Sequence, residues 1–146
     1  MKQRQFSEFS LNNKKMKTIK NLVIIGVIAL MTSCSSTAKF PISTVTPAAD
    51  ITAKIQKQGK PNYLVTITAN NLSAPERLNP PKKNYIIWAI SENGITRNVG
   101  YFTNKNAAKA TYKASFPYKP IEVFITAEDE EGPCEPLGIE IARTKL

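Results

Sequence analysis

The chain is 146 residues long, is 42% hydrophobic, and carries 20 Lys and Arg against 11 Asp and Glu, a formal net charge of +9 with no histidine. The missing histidine removes the commonest general base, the commonest transition-metal ligand and every Ser-His or Cys-His nucleophile pair, so most hydrolase mechanisms lose their usual parts. Much of the positive charge sits at the start: six basic residues (Lys2, Arg4, Lys14, Lys15, Lys17, Lys20) and one acidic residue (Glu8) precede Cys34, leaving 14 basic and 10 acidic residues, a net of +4, from there on. These are spread without an Arg-rich cluster or aromatic interleaving, which argues against nucleic acid as a partner.

The first patterned segment begins at Met16. Lys17 and Lys20 give a positive n-region, Leu22 to Met31 gives an apolar h-region of ten residues, and Thr32-Ser33 leads into Cys34. A helix that crosses a bilayer needs about 20 apolar residues, so this run is built for removal rather than for spanning. The residues before Cys34 resemble the lipobox of bacterial lipoproteins. Met31 stands where that motif commonly has Leu, and small residues fill the gap to the cysteine. The resemblance implies cleavage before Cys34 and acylation of its thiol and amino group, with residues 1–33 as signal peptide. Met1 to Lys15 is polar and unpatterned, so Met16 is the better start. Ser35-Ser36, with no aspartate, looks like the default outer-membrane sorting pattern of Gram-negative lipoproteins, which favours a domain facing the periplasm.

Ser35 to about Ala48 (SSTAKFPISTVTPA) is rich in Ser, Thr, Ala and Pro and reads as a short tether, so residues 34–48 are expected to be the lipidated cysteine and its linker. Phe40, Ile42 and Val45 could equally contribute a first edge strand. Residues 49–146 then read as one β domain. Ile51, Ala53 and Ile55 alternate with Thr52, Lys54 and Gln56, the period-2 mark of a half-buried strand. Gly59 to Asn62 turns the chain into Tyr63 to Ala69 (YLVTITA), rich in β-branched residues. Asn70 to Asn84, with prolines at 75, 80 and 81, is expected to be the loop that crosses between sheets. Tyr85 to Ile90 (YIIWAI) is apolar throughout, as in a strand covered on both faces. Asn93-Gly94 is a hairpin signal before Thr96 to Phe102. Strands over Ala108 to Phe116, Ile121 to Ala127 and Gly138 to Arg143 complete about seven. With no sustained helical period, the expected fold is all-β, an immunoglobulin-like antiparallel β-sandwich.

The order Tyr85-Ile86-Ile87-Trp88, Asn93-Gly94, Val99-Gly100-Tyr101-Phe102, Phe124 to Glu128, and Gly132-Pro133 through Gly138 resembles the extracytoplasmic C-terminal domain of anti-sigma-K factors over residues 50 to 142. The resemblance implies a β-sandwich outside the cytoplasm. That family joins its outer domain through a spanning helix to a cytoplasmic helical domain that holds the sigma factor. Neither has a counterpart here, so fold and compartment are implied but no catalytic or ligand residues.

Four groups of side chains invite a functional reading. Trp88 resembles a stacking residue of glycan-binding modules, but inside an apolar strand it is expected in the core. Tyr101, Tyr112 and Tyr118 are the better candidates for exposed aromatics. Glu128-Asp129-Glu130-Glu131 with Glu135 lacks the alternating spacing of a calcium loop, so a solvated acidic turn is expected. Cys134 has no intramolecular partner once Cys34 is acylated. With carboxylates rather than cations beside it, it reads as a half-buried loop residue of no special reactivity.

The sequence therefore points to a lipid-anchored cell-envelope protein with a non-catalytic binding or structural domain, without cofactor or metal. Its expected partners are the membrane, through the lipid on Cys34, and an envelope protein. An envelope sensor acting with a separate membrane protein and a glycan-binding lipoprotein are the alternative readings.

Overall fold

The computed structural model describes residues 35–59, 61–104 and 107–146. The signal peptide and Cys34 itself lie outside these residues. In chain order the strands are β1 (Ser35–Lys39), β2 (Asp50–Lys57), β3 (Tyr63–Asn70), β4 (Asn84–Ser91), β5 (Thr96–Phe102), β6 (Ala110–Phe116), β7 (Pro120–Glu128) and β8 (Ile139–Lys145). They form two antiparallel four-stranded sheets, ordered β1-β2-β3-β6 and β5-β4-β7-β8. The loop after β3 and the turns on either side of β6 pass between the sheets, which gives the expected immunoglobulin-like sandwich.

Alternation builds the first sheet. Ile51, Ala53 and Ile55 of β2 and Val65, Ile67 and Ala69 of β3 point inward and are buried, while Thr52, Lys54, Thr66 and Thr68 point outward. From the second sheet Tyr85, Ile87, Ala89, Val123, Ile125 and Ala127 meet them in the same core. Their burial supplies the driving force, at about 25 cal/mol per Å² of apolar surface removed from water.

The structure corrects the reading of residues 35–48 as a tether. Ser35–Lys39 is an eighth strand, paired with β2 from Ser35↔Gln56 to Lys39↔Thr52. The chain beyond it is also fixed. Phe40 is buried and its N–H donates to the Ile51 carbonyl at 2.9 Å. Ser43 Oγ accepts from the N–H groups of Val45 and Thr46 at 3.2 and 3.1 Å, closing a Ser-type turn.

Two bulges set the edges of the second sheet. Between β4 and β5 the register shifts at Ile87/Trp88, with Gly100 opposite Ile87 and Asn98 opposite Trp88. Gly100 has φ +146° and lies under the Tyr112 ring, where a Cβ would overlap the phenol. Tyr112 Oη donates to the Val99 carbonyl at 3.2 Å and so ties β6 to β5 across the open side of the sandwich. Between β7 and β8 the shift at Ile125/Thr126 lets Ile141 and Ala142 both join the core. In a regular strand Glu140 and Arg143, three residues apart, would face opposite sides. The bulge puts them on one face, where Arg143 Nη2 meets Glu140 Oε2 at 2.7 Å.

Candidate functional site

Among the described residues a concave surface lies at the end where β1 begins. The strand directions bring to this end the β2–β3 turn, the β4–β5 turn, the β6–β7 turn and the start of β1. Between them runs a groove of two adjoining lobes that share Lys57, Tyr63 and Lys119. One lobe, of about 430 Å³, is walled by Ser35, Ser36, Ile55, Pro120 and Leu146. The other, of about 340 Å³, is walled by Pro61, Glu92, Asn93, Pro117 and Tyr118.

Local sequence explains each wall. Lys57 has the inward parity of Ile51, Ala53 and Ile55 but stands at the last position of β2, so its side chain reaches the rim instead of the core. Tyr63 occupies the facing end of β3, paired with Lys57. Lys119 follows Pro117 and Tyr118 in the β6–β7 turn, and its Nζ meets Glu92 Oε1 at 2.9 Å, with both side chains exposed. That hydrogen bond raises the pKa of the ammonium, so the groove keeps this cation across the neutral and mildly alkaline range. Tyr118 packs edge-on against Phe116 at 5.9 Å, with the Arg97 guanidinium 5.8 Å from its ring centroid. The groove thus combines tyrosine rings, two exposed ammonium groups and one carboxylate side chain. It suits anions or polar headgroups, and among the described residues no hydrogen bond joins one of its serines to Lys57, Lys119 or Glu92.

The residues singled out in the sequence fall elsewhere. Trp88 is fully buried, as expected of a core residue, but in a second core on the outer face of the β5-β4-β7-β8 sheet. There it stacks on Phe124 with centroids 6.0 Å apart, and Ile86 packs beside it. Arg143 lies 3.9 Å above the Phe124 ring and is held by Glu140 and Glu122, which keep its guanidinium firmly protonated.

The cover over this second core is the β7–β8 loop, residues 129–138. It leaves β7 at Glu128 and reaches β5, where Asn98 Nδ2 donates to the Pro133 carbonyl at 3.3 Å and the Glu131 carboxylate raises the pKa of the exposed Tyr101 hydroxyl. It returns to β8 at Gly138, so its path from β7 to β5 and back crosses β4 on the face where Ile86 and Trp88 are buried.

A short relay fastens the loop. Trp88 Nε1 donates to Thr126 Oγ1 at 2.8 Å, Thr126 Oγ1 donates to Glu128 Oε1 at 2.8 Å, and the Gly138 N–H donates to the same carboxylate oxygen at 2.8 Å. A Cβ at Gly138 would collide with the Ala127 carbonyl and the Glu128 carboxylate, so glycine is required there by close approach.

Glu128 therefore departs from the expected solvated acidic turn: it is buried, while Asp129, Glu130, Glu131 and Glu135 are exposed. Asp129 pairs with Lys82 at 2.7 Å. Among the described residues no group of three or more His, Cys, Asp or Glu could hold a metal ion. Cys134 is a free thiol and is exposed, where a half-buried position was expected. Tyr101 and Tyr118 are exposed as expected, but they stand at opposite ends of the sandwich; Tyr112 is half-buried over Gly100.

Comparison of the chain with protein-family models, with curated proteins and with solved structures finds no match. Among the described residues no helix is long and apolar enough to cross a membrane.

Proposed function

We propose that this is a lipid-anchored cell-envelope protein whose mature chain starts at Cys34 and whose immunoglobulin-like domain is a non-catalytic binding or structural module, exposed to the periplasm from the outer membrane. The observation that carries this reading is the junction itself: a lysine-flanked apolar run ends in Thr-Ser-Cys, and Ser35–Lys39, directly after it in the sequence, is a paired strand of the sandwich. Acyl chains on Cys34 supply the anchor, each buried methylene contributing about 0.8 kcal/mol, so several chains hold the domain permanently where one chain is marginal. The domain supplies a relay-fastened loop, a groove and two broad faces, with no histidine to serve a hydrolytic step.

The glycan-binding alternative draws on Tyr63 and Tyr118, which line the same lobe of the groove. It loses the wider aromatic platform that such modules use, because Tyr101 lies at the far end and Trp88 is buried.

The reading is tested by expressing the full chain in a Gram-negative host and separating the membranes. Wild type should co-sediment with the outer membrane and take up labelled palmitate, and Cys34→Ala should do neither. A Cys34→Ala chain that stays in the membrane fraction removes the lipid-anchor reading.

A further inference from the structure

We propose that the groove end of the sandwich rests on anionic phospholipid headgroups of the membrane that holds the acyl chains. This rests on the lipid-anchor reading above and adds to it an orientation and a second contact. The first support is chain length. Ser35 and Ser36 line the groove, and Cys34 is one peptide step away, about 3.8 Å between Cα atoms. Because β1 pairs from Ser35 onward, the dozen residues expected to act as slack are folded into the domain. An anchor at Cys34 therefore holds this end, and not a freely tumbling body, at the bilayer surface.

The second support is chemistry. Lys57 and Lys119 are shared by both lobes and are exposed, and the Tyr118 ring and Ile95 are exposed at the same end. Lysines attract anionic headgroups, and a tyrosine ring with its polar tip suits the interfacial layer. The third support is the opposite end, where the β7–β8 loop carries the exposed carboxylates of Asp129, Glu130, Glu131 and Glu135. Strands of seven to nine residues at about 3.3 Å per residue put that loop roughly 25 Å from the groove, about three Debye lengths at physiological salt. Lys39, Arg77, Lys82, Lys83 and Lys109 stand at the far end too, so the negative charge there is concentrated on this loop, and it is the loop that anionic headgroups repel. Ile42 and Leu137, at the far end, are more exposed than Ile95, but they stand singly in loops, and Leu137 lies beside the carboxylates.

Cys134 provides the far-end reporter. The acylated full chain is purified from membranes and placed in phosphatidylcholine vesicles, with and without phosphatidylglycerol, that carry headgroup-quenching lipids. One sample is labelled on native Cys134; others are labelled on Tyr118→Cys or Pro61→Cys in a Cys134→Ser background, two near positions so that one perturbed turn does not decide the result. Quenching should be several-fold stronger at both near positions than at Cys134 when phosphatidylglycerol is present. Lys57→Gln with Lys119→Gln should cut the preference for anionic vesicles about fivefold per lysine while leaving the protein floating with the vesicles. Equal quenching at the two ends, a stronger signal at Cys134, or indifference to phosphatidylglycerol overturns the proposal, as does protection of position 118 by soluble peptidoglycan fragments in place of lipid. A chain that does not float with vesicles at all shows instead that the anchor reading has failed, and the proposal falls with it.

Discussion

The outer faces of the two sheets are opposites. On the β1-β2-β3-β6 sheet the register lines up Thr37, Lys54, Thr66 and Lys113 in one row and Lys39, Thr52, Thr68 and Thr111 in the next, an exposed or half-exposed polar surface. On the β5-β4-β7-β8 sheet the corresponding surface is Ile86, Trp88 and Phe124, buried under a loop and capped by Arg143. One face needs nothing on top of it. The other exists only while its cover is closed, so the β7–β8 loop is part of the fold although its composition is that of a solvated turn.

The comparison breaks most sharply at Trp88. Trp88→Ala should cost about 3–5 kcal/mol, since it empties the second core and orphans the Thr126 relay, whereas Thr66→Ala on the opposite face should change stability by no more than about 0.5 kcal/mol. Urea-melt midpoints for the two variants test this directly. Comparable losses would mean that the two faces are not energetically distinct.

Glu128→Ala is expected next, at about 1–3 kcal/mol, because the Gly138 N–H and the Thr126 hydroxyl lose their shared acceptor. Its specific signature is faster amide exchange across 129–138 than in β2 and β3, which a general loss of stability would not produce. Arg143→Ala removes the lid over Phe124 and two ion pairs and should cost about 1–2 kcal/mol, with the loss shrinking as salt is added.

A smaller loss than these is expected in the main core. Tyr85 is buried with its hydroxyl donating to the Ser73 carbonyl at 2.7 Å, and burial, aided by Glu76, pushes its pKa far above the ordinary tyrosine value. The folded state then keeps a proton that the unfolded state releases above about pH 10, so this contribution is intact below pH 10 and is lost as pH rises further. Tyr85→Phe should lower stability by about 1 kcal/mol at neutral pH and flatten the alkaline decline measured by thermal melts between pH 9 and 11.

Much of the fold was legible in the sequence because strict alternation in β2 and β3 and the Asn93-Gly94 turn are local signals. The apolar run of β4 correctly announced cover on both faces but not what covers it, since a Glu-, Gly- and Pro-rich loop gives no sign of lying across a tryptophan. β1 was hidden by its residues: Ser36 and Ala38 are too small to mark an inward face. The groove was not legible at all, because its walls come from five separate stretches joined only by topology. Gly138 and Glu128 carried a faint signal, a glycine and a carboxylate at the two ends of one loop, that means little until the chain is folded.

The functional account stands or falls on the chemistry of residue 34. Mass spectrometry of the N-terminal peptide from protein isolated with native membranes should find a chain that begins at Cys34 and carries the added mass of a diacylglycerol thioether. A peptide that begins elsewhere, or one with Cys34 unmodified or disulfide-bonded to Cys134, would contradict it and leave a freely diffusing secreted sandwich in its place.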